Sequence, residues 1–177
     1  MHDGPDIYFH LPAPMKRDKL PSAALLTALA MCLGQCVFYY KRLPWLAVSH
    51  FNAAGLPNGY MHKGFLVSLY AGAALLTAAM FLFGAVVTSK VPDANINLPN
   101  KEHWLAPERR AETLRWISGH LQWFAAATLL LLFDVFGQMF RVNIGAEAGL
   151  THPVASIAVY FAFSALWIAA LWRRFSL

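Results

Sequence analysis

Gly64-Phe65-Leu66-Val67-Ser68-Leu69-Tyr70-Ala71-Gly72-Ala73-Ala74-Leu75-Leu76-Thr77-Ala78-Ala79-Met80-Phe81-Leu82-Phe83-Gly84-Ala85-Val86-Val87-Thr88 runs for 25 residues without a charge. As a helix rising about 1.5 Å per residue it is long enough to cross a hydrocarbon layer of about 30 Å. Residues 21–40, 117–140 and 153–172 also meet the requirement of about 20 mainly apolar residues. Backbone groups in hydrocarbon must be satisfied within their own segment, and four such runs cannot close a barrel, so each is expected to be helical. The sequence predicts an all-α polytopic membrane protein: one domain over residues 1–177, with four transmembrane helices in a compact bundle.

Composition points the same way. A hydrophobic share of 58% and a charged share of 13% in 177 residues exclude disorder and argue against an ordinary soluble domain. The net charge of +5 resides in residues flanking the apolar runs, with no aromatic-interleaved basic face. The expected partner is therefore the lipid bilayer, not nucleic acid. Cys32 and Cys36 lie one helical turn apart inside the first run and read as small packing residues, without a disulfide framework. Ala30 with Gly34, and Ser68 with Gly72, are expected where helices approach closely.

The polar tail, residues 1–20, carries no secretory pattern, and the apolar run after it exceeds a signal peptide's; an uncleaved signal-anchor is expected. In a four-span chain Lys16, Arg17, Lys19, Lys90, Lys101, Arg109, Arg110, Arg115, Arg173 and Arg174 share one side. That is ten of the 14 basic residues, which predicts cytoplasmic N- and C-termini. Residues 41–63 then form an outward loop and residues 89–116 a cytoplasmic one. Trp45 and Tyr60 fall near one interface, and Trp104, Trp116, Trp167 and Trp172 near the other, as anchoring rings. Pro21 and Pro153 suit first turns of helices. Pro107 with Glu108 marks another helix start, and residues 107–116 are expected to lie along the interface or to project into the cytoplasm, with the interface favoured by Trp104, Leu105 and Leu114 beside the arginines.

The outward loop reads as a long irregular connection, a kind that is usually functional. Gly55 and Pro57-Asn58-Gly59 are expected to shape it as turns. Asp134 is the costliest residue, because an ionised carboxylate in mid-membrane seeks a partner or a cavity. Asp134, Gln138 and Arg141 share one helical face, on the same side as Gln35, His50, Asn52, His62, Lys63, Asn143 and His152. These groups suggest an outward-opening polar pocket or, as an alternative, a structural bond from Asp134 to another helix. His50, His62 and Asp134 form a weaker candidate metal set. No zinc-binding, nucleophile-elbow, phosphate-loop or dinucleotide motif occurs, and no cofactor is expected.

His50-Phe51-Asn52-x-x-Gly55-x-Pro57-x-x-x-x-x-Lys63, after a first membrane helix and Leu43-Pro44, resembles the bacterial membrane family known as domain of unknown function 1648. Asn97-Leu98-Pro99-Asn100-Lys101-x-x-Trp104-Leu105-Ala106-Pro107-Glu108-Arg109-Arg110 is similar to a second segment found in such proteins. The resemblance implies a bacterial cytoplasmic-membrane protein without an assigned reaction. Relatives include bacillus immunity proteins that protect against a secreted toxic peptide and signal to a repressor; compared with them, this chain is expected to lack the additional membrane helices of their C-terminal part. The expected function is an outward-facing binding, sensing or immunity-type module, not an enzyme. His50, Asn52, Lys63, Asp134, Gln138 and Arg141 would meet an extracytoplasmic peptide or protein, and residues 97–115 a cytoplasmic protein. The alternatives are a membrane enzyme or metal-dependent protein using His50 and Asp134, and a small transporter with Asp134 and Gln35 on its path.

Overall fold

A computed structural model describes residues 19–176, apart from the side chains at 85, 86, 88 and 89. Lys16 and Arg17 of the basic tail lie outside the described residues. In chain order come helix α1 (Leu20–Tyr40), strands β1 (Leu46–Phe51) and β2 (Pro57–His62), and helix α2 (Lys63–Lys90). A 3-10 turn (Asp93–Asn95), a short α3 (Lys101–Trp104), α4 (Pro107–Asn143) and α5 (Pro153–Phe175) follow. The helices α1, α2, α4 and α5 are long and apolar enough to cross a membrane, and they coincide with the four predicted runs. Pro21, Pro107 and Pro153 all occupy first turns, where the missing N–H costs no bond.

The helices α1, α2 and α4 pack on one another, while α5 packs chiefly along α4. Their shared core is built of Ala28, Cys32 and Cys36 from α1, Ala74 and Ala78 from α2, and Ala125 and Ala126 from α4. Small side chains let backbones approach where lipid offers no hydrophobic drive between helices. The expected small pairs lie elsewhere: Ala30, Gly34, Ser68 and Gly72 are all exposed. Ala30 and Gly34 each sit two positions from a core residue, about 200° around a helix of 3.6 residues per turn. They therefore lie outside the packed core, with Gly34 on the rim of the α1–α4 contact.

Polar rungs fix the axial register. Ser22 Oγ donates to Gln122 Oε1 at 2.7 Å, Cys32 Sγ to the Leu129 carbonyl at 3.4 Å, and Gln35 Nε2 to the Phe133 carbonyl at 3.1 Å. Partner numbers rise together, so α1 and α4 run parallel. Tyr70 brings α2 into the same network by donating to Gln35 Oε1 at 2.8 Å, with its ring stacked 4.1 Å from Phe136.

With 37 unbroken residues, α4 is about 55 Å long at about 1.5 Å per residue, well beyond a hydrocarbon thickness of about 30 Å. Residues 107–116 continue on the axis of the span. This corrects the favoured placement along the interface, which would require a break in the helix.

The connection between α1 and α2 is not irregular. Strands β1 and β2 pair antiparallel from Leu46 opposite His62 to Phe51 opposite Pro57, with register irregularities on either side of His50. At the tip, Asn52 Oδ1 accepts from the N–H groups of Ala54 and Leu56 at 2.9 and 3.0 Å. Gly55 supplies the left-handed backbone there, φ +75°, which costs glycine least. Pro57-Asn58-Gly59 belongs to β2 and not to a turn. Pro57 takes the first strand position, where a proline is tolerated, and Gly59 faces His50, whose Cβ would lie 3.0 Å from an added methyl.

Asn143, the last residue of α4, docks this hairpin. Its side-chain amide accepts from Val48 N–H at 2.7 Å and donates to the Val48 carbonyl at 2.9 Å, imitating a neighbouring strand. Beyond it, Gly145 N–H bonds the Val142 carbonyl and Ala146 N–H the Arg141 carbonyl, the pair of bonds of a Schellman motif. Leu150 N–H then reaches the Gly55 carbonyl at 2.9 Å. Asn143→Ala removes two hairpin bonds, each worth about 0.5 to 1.5 kcal/mol. Faster hydrogen exchange is expected at residues 46–62 with α1 and α4 unchanged; unaltered exchange at the Val48 amide would refute the docking role.

Candidate functional site

Asp134 stands on α4, nine residues before its end. Its Oδ2 accepts from Gln138 Nε2 at 2.8 Å and from Ser156 Oγ of α5, and its Oδ1 lies 3.4 Å from His152 Nε2. Gln138, only 1% exposed, is the hub: its Nε2 also lies 3.1 Å from Ser156 Oγ, and its Oε1 accepts the His152 N–H at 3.0 Å. Ser156 has one hydroxyl proton, for which the carboxylate is a stronger acceptor than a neutral carbonyl. Asp134 and Gln138 thereby latch the start of α5 to α4, and the structural alternative raised for Asp134 is what the geometry supplies.

Asp134 has a second face. Together with Gly34, Gln35, Phe38, Tyr39, Phe133, Gly137 and Arg141 it lines an open cleft of about 350 Å³ between α1 and α4. Its side chain stays 38% exposed. The Gln35 amide accepts from Tyr70 and donates one of its two N–H groups to the Phe133 carbonyl, which fixes it as a wall of the cleft. Arg141 differs: among the described residues its guanidinium has no hydrogen-bond or ion-pair partner, although the residue is half-buried. Gly137 provides the room beneath it, since a Cβ there would stand 2.9 Å from Gln35 Nε2 and 3.5 Å from Arg141 Nη1.

The hairpin residues do not join this cleft. His50 is exposed, with Nδ1 2.9 Å from Ser49 Oγ and its ring against Gly59. Asn52 is engaged in the hairpin tip. Lys63 donates from Nζ to the Leu43 carbonyl at 3.0 Å and closes the hairpin base. His62 Nδ1 accepts from Gly64 N–H at 3.1 Å at the start of α2. His50 and His62 pair with opposite ends of the ribbon, and no three metal-binding side chains converge among the described residues. The candidate set of His50, His62 and Asp134 is therefore not assembled.

At the far end of the spans, the segment holding Asn97, Pro99, Asn100, Trp104, Pro107, Glu108 and Arg109 forms a socket for the chain's own last helix. Asn100, in the left-handed region at φ 51°, donates from Nδ2 to the Phe175 carbonyl at 3.0 Å; Trp104 Nε1 does so at 3.3 Å. The Phe175 ring is 1% exposed, edge-on to Trp104 and Trp116, and Arg174 covers Trp104 at 4.6 Å. Thr113 Oγ1 holds the Trp104 carbonyl at 2.8 Å. Glu108 lies in the first turn of α4, and Arg109 reaches His103. Nearby, His120 is stacked between Trp116 and Trp167, 4.5 Å from each. Trp104, Trp116 and Trp167, expected as anchoring rings, thus pack within the protein.

Ser156, Phe175, His120 and Gly137 carry these arrangements and are unremarked in the sequence. Ser156 alone had a signal: helices joined by a short connection run antiparallel, which brings Ser156, three residues into α5, beside Gln138, five residues before the end of α4. Comparison with known proteins finds no matching family model, no matching curated protein and no matching solved structure.

Proposed function

We propose that this chain is a non-enzymatic, multi-pass protein of the bacterial cytoplasmic membrane that binds or senses a ligand at its hairpin end. The bias of ten basic residues to four supports cytoplasmic termini and an outward hairpin; the resemblance to the domain of unknown function 1648 family supports a bacterial membrane. The observation that carries the reading is the Arg141 guanidinium, half-buried in a cleft without a partner among the described residues. A half-buried cation keeps its charge at a desolvation cost that a bound anion offsets. Relative to the sequence-based expectation, binding moves from His50, Asn52 and Lys63 to Arg141 and the open face of Asp134. An immunity-type role and a cytoplasmic partner on residues 97–115 remain part of the proposal. The enzyme alternative loses support because His50 does not line the cleft with Asp134.

A deletion strain challenged with envelope stress and secreted toxic peptides tests it. Wild type should restore resistance, and Arg141→Ala, accumulating to the same level in the membrane, should not. Full complementation by Arg141→Ala would refute the reading.

A further inference from the structure

We infer that the cleft takes the phosphate of an anionic phospholipid on Arg141, with an acyl chain entering sideways between α1 and α5; this rests on the cleft being the binding site proposed above. Three observations converge. Arg141 lies two residues from the end of α4, the level at which a span meets headgroups, and it is the one cleft cation, without a partner among the described residues. Asp134, two helical turns deeper, already accepts from Gln138 and Ser156 and faces His152, so its charge is largely answered within the protein. Below the guanidinium the walls are mixed: Phe38, Phe133 and Gly34, the last exposed with nothing within 4 Å of its Cβ position, stand beside Gln35 and the part-exposed Asp134.

The cleft is also open on one flank. On the stretch of α4 that carries Asp134, Leu130 is 47% and Trp123 40% exposed, so this surface is left uncovered by α1 and α5 and open to lipid. A cation at the mouth, the rings of Phe38 and Phe133 along the walls and a lateral opening match an amphiphile whose charge sits at the interface and whose chain lies in hydrocarbon. A planar guanidinium pairs with phosphate through two parallel N–H bonds, a geometry that an ammonium does not reproduce.

Native mass spectrometry of the full chain, extracted from vesicles of phosphatidylglycerol with phosphatidylcholine, tests the assignment. Wild type should keep one phosphatidylglycerol per chain after mild delipidation. Retention should fall by about tenfold or more in Arg141→Ala, as expected for losing a charge-assisted pair, and less in Arg141→Lys. Gly34→Phe, which leaves Arg141 in place and fills the open side, should also lose the lipid. Equal retention by Arg141→Ala and wild type would overturn the inference, as would release of the lipid by millimolar inorganic phosphate as readily as by competing phosphatidylglycerol. If Arg141→Ala fails in the deletion strain yet keeps its lipid, this inference falls while the binding function of the cleft stands.

Discussion

Phe175→Ala should unseat the end of α5. The ring is 1% exposed between Trp104 and Trp116, and truncating a fully buried phenylalanine costs about 3 to 5 kcal/mol when the surroundings collapse only partly. The Phe175 carbonyl, held by Asn100 and Trp104, is then free to leave, and the left-handed Asn100 loses the contact that supports its conformation. Two readouts should move together: hydrogen exchange at residues 100–104 should accelerate, and emission from Trp104 and Trp116 should shift to the red. Phe175→Leu, which keeps apolar volume, should recover most of the protection. If exchange at residues 100–104 is unchanged in Phe175→Ala, the socket does not depend on its plug.

Gln138→Leu should release the other end of the same helix. The substitution keeps side-chain volume but removes bonds to Asp134, Ser156 and the His152 N–H. The bond to Asp134 lies within α4, and the other two reach the start of α5; interhelical bonds in membrane proteins are worth about 0.6 to 1.7 kcal/mol each, so those two sum to about 1 to 3 kcal/mol. Asp134 also loses a donor while keeping its charge. The midpoint of unfolding in mixed micelles should fall at a lower SDS fraction, and proteolysis between α4 and α5 should speed up. Combining Asp134→Asn with Gln138→Leu should cost less than the sum of the two single changes, because both sit in one network. Strict additivity would show that Asp134 is held by something other than this latch.

The four spans were legible because a continuous apolar run of this length has one satisfactory conformation in lipid. Pro107 with Glu108 and the glycine at the hairpin tip were legible for local reasons, one needing no donor and the other a left-handed backbone. The hairpin was hidden because β1 and β2 are six residues each and Pro57-Asn58-Gly59 mimics a turn. Only pairing with β1 and the Asn143 amide makes that segment a strand. Asp134, Gln138 and Arg141 were correctly placed on one stretch of α4, yet periodicity cannot tell which neighbour each would meet. Asp134 and Gln138 turned to α5, and Arg141 towards α1. Phe175 and His120 left no trace, because an aromatic or a lone histidine in an apolar run acquires meaning only from tryptophans brought in by other segments.

The rungs between α1 and α4 act as a vernier. Their partners are separated by 100, 97 and 98 residues, and the Val48–Asn143 clamp by 95, so four joints along one long helix share nearly the same offset. An extra residue in the segment between α2 and α3 changes none of the spacings within α1 or α4 and can be absorbed locally. One extra residue inside α4 after Gln122 rotates everything beyond it by about 100°. It would turn Arg141 out of its cleft, Gln138 away from α5 and Asn143 off the hairpin at once. The spacing of α4 therefore tolerates far less insertion than its apolar composition suggests.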